Sequence, residues 1–215
     1  MKHYIDITLL SDEDISLGFV WQKLYKQIHI LLAENKVAEH DSAIGVSFPK
    51  YGDKAFPLGD KLRLFAETEK ELIDLELDKW LVRVSDYIHI KSIKPVPSDV
   101  SEFVCFKRKQ FKSPAKMRKD IDKRAKSIAD KNNLKFSDVK EKLLSSIDKM
   151  EDDYTLPFIN LESLSSSNSD KPSDAKRFKL FLELSKSKPP VKNNFFTCYG
   201  LSRRSTDEQM TVPWF

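Results

Sequence analysis

The order of hydrophobic patterns along the first 95 residues constrains the fold more than any other feature of this chain. Residues 3–10 alternate and then run apolar, which is typical of a central strand. Residues 17–34 place their apolar side chains on one stripe, which predicts an amphipathic helix. Residues 43–49 and 61–66 have strand character and are separated by a polar turn, so they are predicted to pair as a hairpin.

A second helix and a fourth strand complete this pattern. Thr68 and Glu71 have the spacing of a capping box, which predicts a helix over residues 68–80. Residues 82–94 alternate again and are predicted to form a strand. The order β-α-β-β-α-β is that of ferredoxin-like folds, a frequent RNA-binding scaffold. We therefore predict an α+β chain whose residues 1–95 form a ferredoxin-like domain.

The remaining residues, 96–215, predict a smaller α+β domain. Pro95 and Pro97 mark the boundary between the two domains. The predicted elements after it are a basic helix at about 114–130, a helix at 137–149, and C-terminal strands at 156–161 and 178–184.

Positive charge is concentrated in one segment. Residues 107–126 contain ten Lys or Arg and two Asp, a net charge of +8, whereas the whole chain of 215 residues carries +4. The rest of the chain is therefore slightly acidic, a layout typical of a protein that contacts a polyanion on one side. A solvated helix face is the alternative. Arg108 and Gln110 favour nucleic acid, because both side chains are suited to hydrogen-bonding base edges.

Several classes of function are disfavoured by what the sequence does not contain. Cys105 and Cys198 are too few for a disulfide framework and lack the spacing of a zinc site. Gly-rich phosphate loops and G-x-S-x-G elbows are also absent. No apolar run approaches the roughly 18 residues of a membrane-spanning helix, and the N-terminus lacks a signal-peptide layout. We therefore expect a cytoplasmic protein without a metal, a cofactor or a membrane partner.

His29 is the candidate for proton transfer among the four histidines. It follows the predicted core residue Ile28 on the first helix, so it is expected at the edge of the core. A histidine there can titrate near neutrality and take a proton from a ribose 2′-hydroxyl. The alternative is a partly buried structural histidine. The apolar end of the chain is expected to pack against the body and to bring Tyr199 with it, and core packing alone would also explain that end.

Several sequence blocks occur together in one known family. They are HYIDI at 3–7, the helix that carries His29, IGVSFP at 44–49, LGDKLRL at 58–64, and FTCYGLS at 196–202 before the terminal VPWF. In these blocks and in their order, the chain resembles the CRISPR repeat-processing endoribonucleases of the subtype I-F systems.

The resemblance implies a metal-independent cleavage of RNA at the base of a repeat hairpin. It implies that His29 and Ser163 help a 2′-hydroxyl to attack the adjacent phosphate, and that Tyr199 orders the site. The products would be a 2′,3′-cyclic phosphate or 3′-phosphate and a 5′-hydroxyl. Ser165 is the alternative serine, because the loop at 163–177 is longer than is usual in the family.

The resemblance also implies how the hairpin is recognised. The Arg-x-Gln pair that reads bases at the foot of the hairpin matches Arg108 and Gln110, and the aromatic that stacks on the terminal base pair matches Phe178, for which core burial is the alternative. The basic helix would enter the groove of the hairpin, although it is richer in lysine than is usual and has Asp120 at an expected arginine. The residues expected to bind RNA are Arg108, Gln110, Lys112, Lys116, Lys119, Lys123, Arg124 and Phe178.

The expected partners follow from the same resemblance. The nuclease would stay on the 3′ hairpin of its CRISPR RNA product and join other subunits of a surveillance complex, and it would meet target DNA only indirectly through that complex. An insertion at Arg203–Thr211 is a candidate partner surface. The alternatives are a hairpin-binding subunit that caps the complex without cutting, and a general basic RNA-binding protein.

Overall fold

The structure, a computed structural model, describes residues 1–111, 114–148, 156–162, 177–187, 195–203 and 209–215. Contacts divide the chain into two units. Unit 1 comprises Met1–Lys109 and Pro157–Phe215, and unit 2 comprises Gln110–Leu156.

An antiparallel sheet forms the N-terminal part of unit 1. Its strands are β1 (His3–Leu9), β3 (Gly45–Ser47), β4 (Lys61–Ala66) and β5 (Ile88–Ile90), in the order β3-β4-β1-β5, and β6 (Lys94–Pro95) also pairs with β1. Strands β1 and β4 pair antiparallel, with His3 opposite Ala66 and Thr8 opposite Lys61. Both strands carry apolar side chains to the core. The pairing of β3 with β4 confirms the predicted hairpin.

Helix α1 (Leu17–Glu34) carries the apolar stripe predicted from the sequence. Ser16 caps it by accepting a hydrogen bond from the backbone N–H of Phe19. The buried residues of the helix are Val20, Trp21, Leu24, Tyr25, Ile28, Leu31 and Leu32. The indole N–H of Trp21 donates to the carbonyl of Gly59 at 2.8 Å, so the polar atom of this buried ring is satisfied.

The connection between β4 and β5 differs from the prediction. The capping box of Thr68 forms, but it begins a short helix α2 (Glu69–Ile73), and a second short helix α3 (Leu77–Trp80) follows. Glu76 separates the two helices because its backbone is left-handed, with φ 46° and ψ 48°. The predicted strand over 82–94 is a 3₁₀-helix (Val82–Tyr87) followed by the short strands β5 and β6.

A second antiparallel sheet also belongs to unit 1. It consists of β7 (Phe103–Lys109), β8 (Phe158–Glu162), β9 (Arg177–Ser187) and β11 (Val212–Pro213), in the order β11-β7-β9-β8. The short strands β2 (Asp41–Ser42) and β10 (Phe196–Thr197) form a separate pair. The pairing of β11 with β7 confirms that the apolar chain end packs against the body.

Unit 2 contains three helices in its described residues, namely α4 (Pro114–Lys119), α5 (Ile121–Asn132) and α6 (Phe136–Asp148). The predicted basic helix is thus divided at Asp120, where ψ is 0°. Ala125, Ala129 and Val139 form its small core. An exposed ion pair between Arg118 on α4 and Asp148 on α6 also joins these helices.

The α+β prediction is confirmed by these sheets and helices. The N-terminal order of strands and helices is compatible with the ferredoxin-like assignment, which stays a prediction, as does a domain boundary near residue 95. No helix in the described ranges is both long and apolar enough to cross a membrane.

A buried ion pair ties the first sheet to the end of the chain. Arg63 donates to Asp6 through Nε at 2.6 Å and through Nη2 at 3.1 Å. Its third contact is a hydrogen bond from Nη1 to the Phe215 oxygen at 3.0 Å. The guanidinium also lies 4.1 Å from the Phe215 ring centroid and 4.4 Å from that of Tyr4. Removing Arg63 would leave the Asp6 carboxylate buried without this partner.

We therefore expect Arg63→Ala to lower the free energy of unfolding by about 3–5 kcal/mol. Urea unfolding followed by tryptophan fluorescence measures this loss in unit 1, because Trp21, Trp80 and Trp214 all lie there. Lys70→Ala is the matched control, because Lys70 forms an exposed pair with Asp74 and its loss should change stability by under about 1 kcal/mol. Equal effects of the two substitutions would contradict the role of Arg63.

Candidate active site

His29 lies at the edge of the core, as predicted. Ile28 before it on α1 is fully buried, and the imidazole of His29 is half-buried. Consecutive side chains of a helix are about 100° apart, so the ring of His29 lies at the protein surface while Ile28 lies in the core.

A tight turn after β10 forms the other side of the site. The N–H of Gly200 donates to the carbonyl of Thr197 at 2.7 Å, and Gly200 has φ +69°. Two hydrogen bonds hold this turn against the N-terminal part of unit 1. The Tyr25 hydroxyl donates to the carbonyl of Tyr199 at 2.8 Å, and the Val46 N–H donates to the carbonyl of Gly200 at 2.8 Å.

The turn contacts His29 with both a ring and a carbonyl group. The rings of His29 and Tyr199 stack with centroids 3.8 Å apart and an interplanar angle of 6°. Nδ1 of His29 lies 2.9 Å from the carbonyl oxygen of Cys198. A carbonyl oxygen only accepts hydrogen bonds, so Nδ1 carries the proton in this contact. In the neutral ring, Nε2 then carries the lone pair and can act as a base.

The surroundings of His29 favour its neutral form. Burial lowers the pKa of His29 from its ordinary value of 6.5, and the nearby Arg108 guanidinium lowers it as well. The hydrogen bond to the Cys198 carbonyl acts in the opposite direction on this pKa, because it stabilises the imidazolium. The net effect keeps His29 deprotonated at neutral pH, the form that a general base requires.

Arg108 and Phe178 lie beside this pair of rings. The Arg108 guanidinium carbon is 5.0 Å from the ring centroid of Phe178 and 5.8 Å from that of Tyr199. Phe178, on β9, is half-buried and packs against the core of unit 1, so its ring is neither fully enclosed nor fully exposed. The structure thus brings together four residues singled out from the sequence: His29, Tyr199, Arg108 and Phe178.

Sequence reasoning missed an ion-pair group that joins α1 to β8. Lys26 lies one helical turn before His29, and its Nζ is 2.8 Å from Oε2 of Glu162. Arg177 approaches the other oxygen of Glu162 at 3.8 Å. The hydrogen bond from Lys26 is the main reason that the pKa of Glu162 is lowered. No local pattern in the sequence indicates this contact, because Lys26 and Glu162 are 136 positions apart.

The other predicted residues belong to unit 2 or lie outside the described ranges. Ser163, Ser165 and Lys112 lie outside the described residues. Gln110 is exposed at the start of unit 2. The remaining predicted RNA-binding side chains are exposed on α4 and α5, namely Lys116, Lys119, Lys123 and Arg124. Within the described part of the chain, no group of three or more His, Cys, Asp or Glu side chains is placed to hold a metal ion.

Comparison with known proteins gives concordant matches over the whole chain. Residues 4–215 match the model of the family described as CRISPR-associated protein (Cas_Csy4). The chain is 31% identical over 216 residues to the CRISPR-associated endonuclease Cas6/Csy4 of Escherichia coli (strain UTI89 / UPEC). It is 27% identical over 216 residues to the protein of the same name from Pseudomonas aeruginosa (strain UCBPP-PA14).

Both alignments cover 100% of this chain and 100% of the relative. The match therefore includes helix α1 with His29 and the turn after β10 with Tyr199, and it confirms the resemblance found in the sequence. The chain belongs to the CRISPR-associated Csy4 family.

Proposed function

We propose that the chain is an endoribonuclease that cleaves CRISPR repeat RNA at the base of a hairpin and stays bound to the hairpin product. Both relatives are named CRISPR-associated endonucleases, which supports nuclease activity in this chain. The observation that carries the proposal is the fixed ring of His29, which is stacked on Tyr199 and bonded through Nδ1 to the Cys198 carbonyl.

The proposed reaction uses the RNA's own 2′-hydroxyl as the nucleophile. Nε2 of neutral His29 takes the proton of the 2′-hydroxyl, and O2′ attacks the adjacent phosphorus. The bond from phosphorus to O5′ breaks, and O5′ takes a proton from solvent water to leave as a 5′-hydroxyl, while His29 returns the proton it took to solvent. The other product is a 2′,3′-cyclic phosphate, which can open to a 3′-phosphate. Ser163, or Ser165 in its place, assists the attack in this proposal.

The residues around His29 would position the reacting groups. The stack with Tyr199 restricts the rotation of the imidazole, so Nε2 faces one direction without further loss of entropy on binding. No metal is required in this route, because the nucleophile belongs to the substrate and an imidazole serves as the base.

Recognition of the hairpin would use both units. Arg108 and Phe178 lie beside the proposed base, where they could read and stack on the foot of the hairpin. Gln110 and Lys112 follow Arg108 in sequence. The exposed lysines of α4 and α5 supply positive charge for phosphates, and Arg124 can offer a bidentate contact that lysine cannot.

The proposed partners are the CRISPR RNA hairpin and other subunits of a surveillance complex in the cytoplasm. The chain would meet target DNA only through that complex. A hairpin-binding subunit that does not cut is the alternative, and it would treat His29 as a structural residue.

The first prediction of the proposed function separates cutting of the RNA from binding of the RNA. His29→Ala should abolish cleavage of the cognate repeat RNA in excess EDTA, because it removes the proposed base. It should preserve hairpin binding, because the half-buried imidazole is neutral and its removal takes no positive charge from the RNA-binding surface. The matched RNA control has a 2′-deoxy residue upstream of the scissile phosphate and should stay uncut by the native chain. Normal cleavage by His29→Ala would sink the assignment, and tight binding without any cutting by the native chain would favour the capping subunit.

The second prediction concerns pH. Because a neutral base is needed and the pKa of His29 is lowered from 6.5, the single-turnover rate should rise with pH at low pH and level off below pH 6.5. Arg108→Met should move the midpoint upward, because the guanidinium charge lowers this pKa. Arg108→Lys keeps the charge and should leave the midpoint closer to its native value. A native midpoint above 6.5 would contradict this account.

The third prediction concerns base reading. Arg108→Ala should weaken binding of the cognate hairpin by about 1–3 kcal/mol and affect unrelated stems less. Lys107→Ala is the control, because its neighbouring position on β7 directs its side chain to the opposite face of the sheet. Competition binding against both RNAs measures the difference. Equal losses on both RNAs for Arg108→Ala would show that the residue contributes charge without reading bases.

A further inference from the structure

A wide cleft in unit 1 lies along helix α1, the helix that also carries His29. It has a volume of about 880 Å³ and lies between α1, α3 and the 3₁₀-helix. Its walls are formed by aromatic and basic side chains, and no acidic side chain lines it among the described residues. Neither the proposed reaction nor the predicted hairpin contacts use this cleft.

The aromatic side chains give the cleft surfaces on which bases can stack. The Phe19 side chain is 47% exposed, which is unusual for so large an apolar group. Trp80 and Tyr87 are half-buried, so each presents part of a ring that is anchored in the core. Anchored and partly exposed rings are the typical stacking platforms of proteins that bind single-stranded nucleic acid.

The basic side chains leave the cleft with excess positive charge. Lys26 is paired with Glu162, and Lys79 is paired with Glu76. Lys23 lies 5.1 Å over the ring of Phe19, and Arg83 is exposed on the 3₁₀-helix. Within the described part of the chain, neither of these two cations forms an ion pair with a carboxylate.

The cleft and the proposed base share helix α1, and Lys26, which lines the cleft, lies one turn from His29. Lys26 and Lys23 precede His29 by three and six residues, which correspond to about 4.5 and 9 Å along the helix axis. A stacked strand advances about 3.4 Å per nucleotide, so two or three nucleotides would span this distance. A strand that leaves the scissile phosphate could therefore run along α1 into the cleft.

We propose that this cleft binds the single-stranded RNA that flanks the hairpin at the scissile bond. Phosphates of the flank would contact Lys23 and Arg83, and its bases would stack on Phe19 and Trp80. The inference rests on the proposed function. An acidic peptide could use the same charges, but the partly exposed aromatic rings beside them, on the helix that carries His29, favour the RNA strand.

The test measures what a flank adds to the affinity for the hairpin. Uncleavable hairpins with a 2′-deoxy residue at the scissile position carry no flank, about six nucleotides on the 3′ side, or the same length on the 5′ side. We expect the flank on the 3′ side, which continues past the scissile bond, to tighten binding to the native chain about tenfold, and the flank on the 5′ side to leave binding unchanged.

The double variant Lys23→Glu with Arg83→Glu should abolish this gain and leave binding of the unflanked hairpin within about twofold. The double variant should also show a weaker salt dependence of flank binding. The slope of log affinity against log salt concentration should become shallower by about 1.4, because two phosphate contacts to a single strand are lost and each contributes about 0.7. Lys70→Glu with Lys94→Glu is the matched control, because both lysines are exposed in unit 1 and neither lines the cleft.

Stacking is tested by Phe19→Ala, which should reduce the gain from the flank at least fivefold. Ile73→Ala is its control, because Ile73 is also an exposed apolar side chain of unit 1 and does not line this cleft. The proposal is overturned if the 3′ flank does not tighten native binding, or if the charge-reversal variant keeps the gain. Loss of a protein partner by that variant, with the gain from RNA intact, would also overturn it.

Failure of the proposed function has a different signature. The native chain would then leave the cognate ribonucleotide hairpin uncut in the same preparation. In that case, binding of an unstructured RNA of about eight nucleotides, compared between the same variants, tests the cleft without reference to a hairpin.

Discussion

The candidate site depends on the close approach of the turn after β10 to strand β3. Gly200 permits it in two ways, because its φ of +69° is rarely adopted by other residues and a Cβ there would lie 2.2 Å from Cγ2 of Val46. The hydrogen bond from the Val46 N–H to the Gly200 carbonyl needs the same approach. This contact brings the Cys198 carbonyl and the Tyr199 ring onto His29, so two distant parts of the sequence meet only in the folded chain.

Contacts between distant segments also position the second sheet, whose strand β7 carries Arg108. The ring of Phe106 on β7 packs edge-on against that of Phe48 after β3, with centroids 5.1 Å apart. The Tyr51 hydroxyl donates to the carbonyl of Leu182 on β9 at 2.9 Å. These contacts fix the two sheets of unit 1 against each other. They therefore limit how far the Arg108 guanidinium can move from the Tyr199 ring.

Local patterns in the sequence predicted those features that local physics controls. The buried stripe of α1 placed His29 at the edge of the core, because a residue beside Ile28 must turn away from it. The break at Glu76 could not be predicted, because a left-handed backbone at a glutamate is set by the packing around it. The ion pair of Lys26 with Glu162 joins residues 136 positions apart, and no periodicity reports such a contact. The apolar chain end drew attention to Tyr199, but only the resemblance gave Tyr199 its role at the site and singled out Phe178.

The electrostatics of His29 connect the proposed chemistry with the proposed RNA path. Burial and the Arg108 charge both lower the pKa of His29, and the Cys198 carbonyl offsets part of this effect. A cation beside a base usually weakens that base, but in the proposed reaction the Arg108 charge would also attract the phosphate that the base must approach. Lys26 is paired with Glu162, which offsets its charge. Lys23, about one turn further along α1, would keep its charge for the proposed flanking strand.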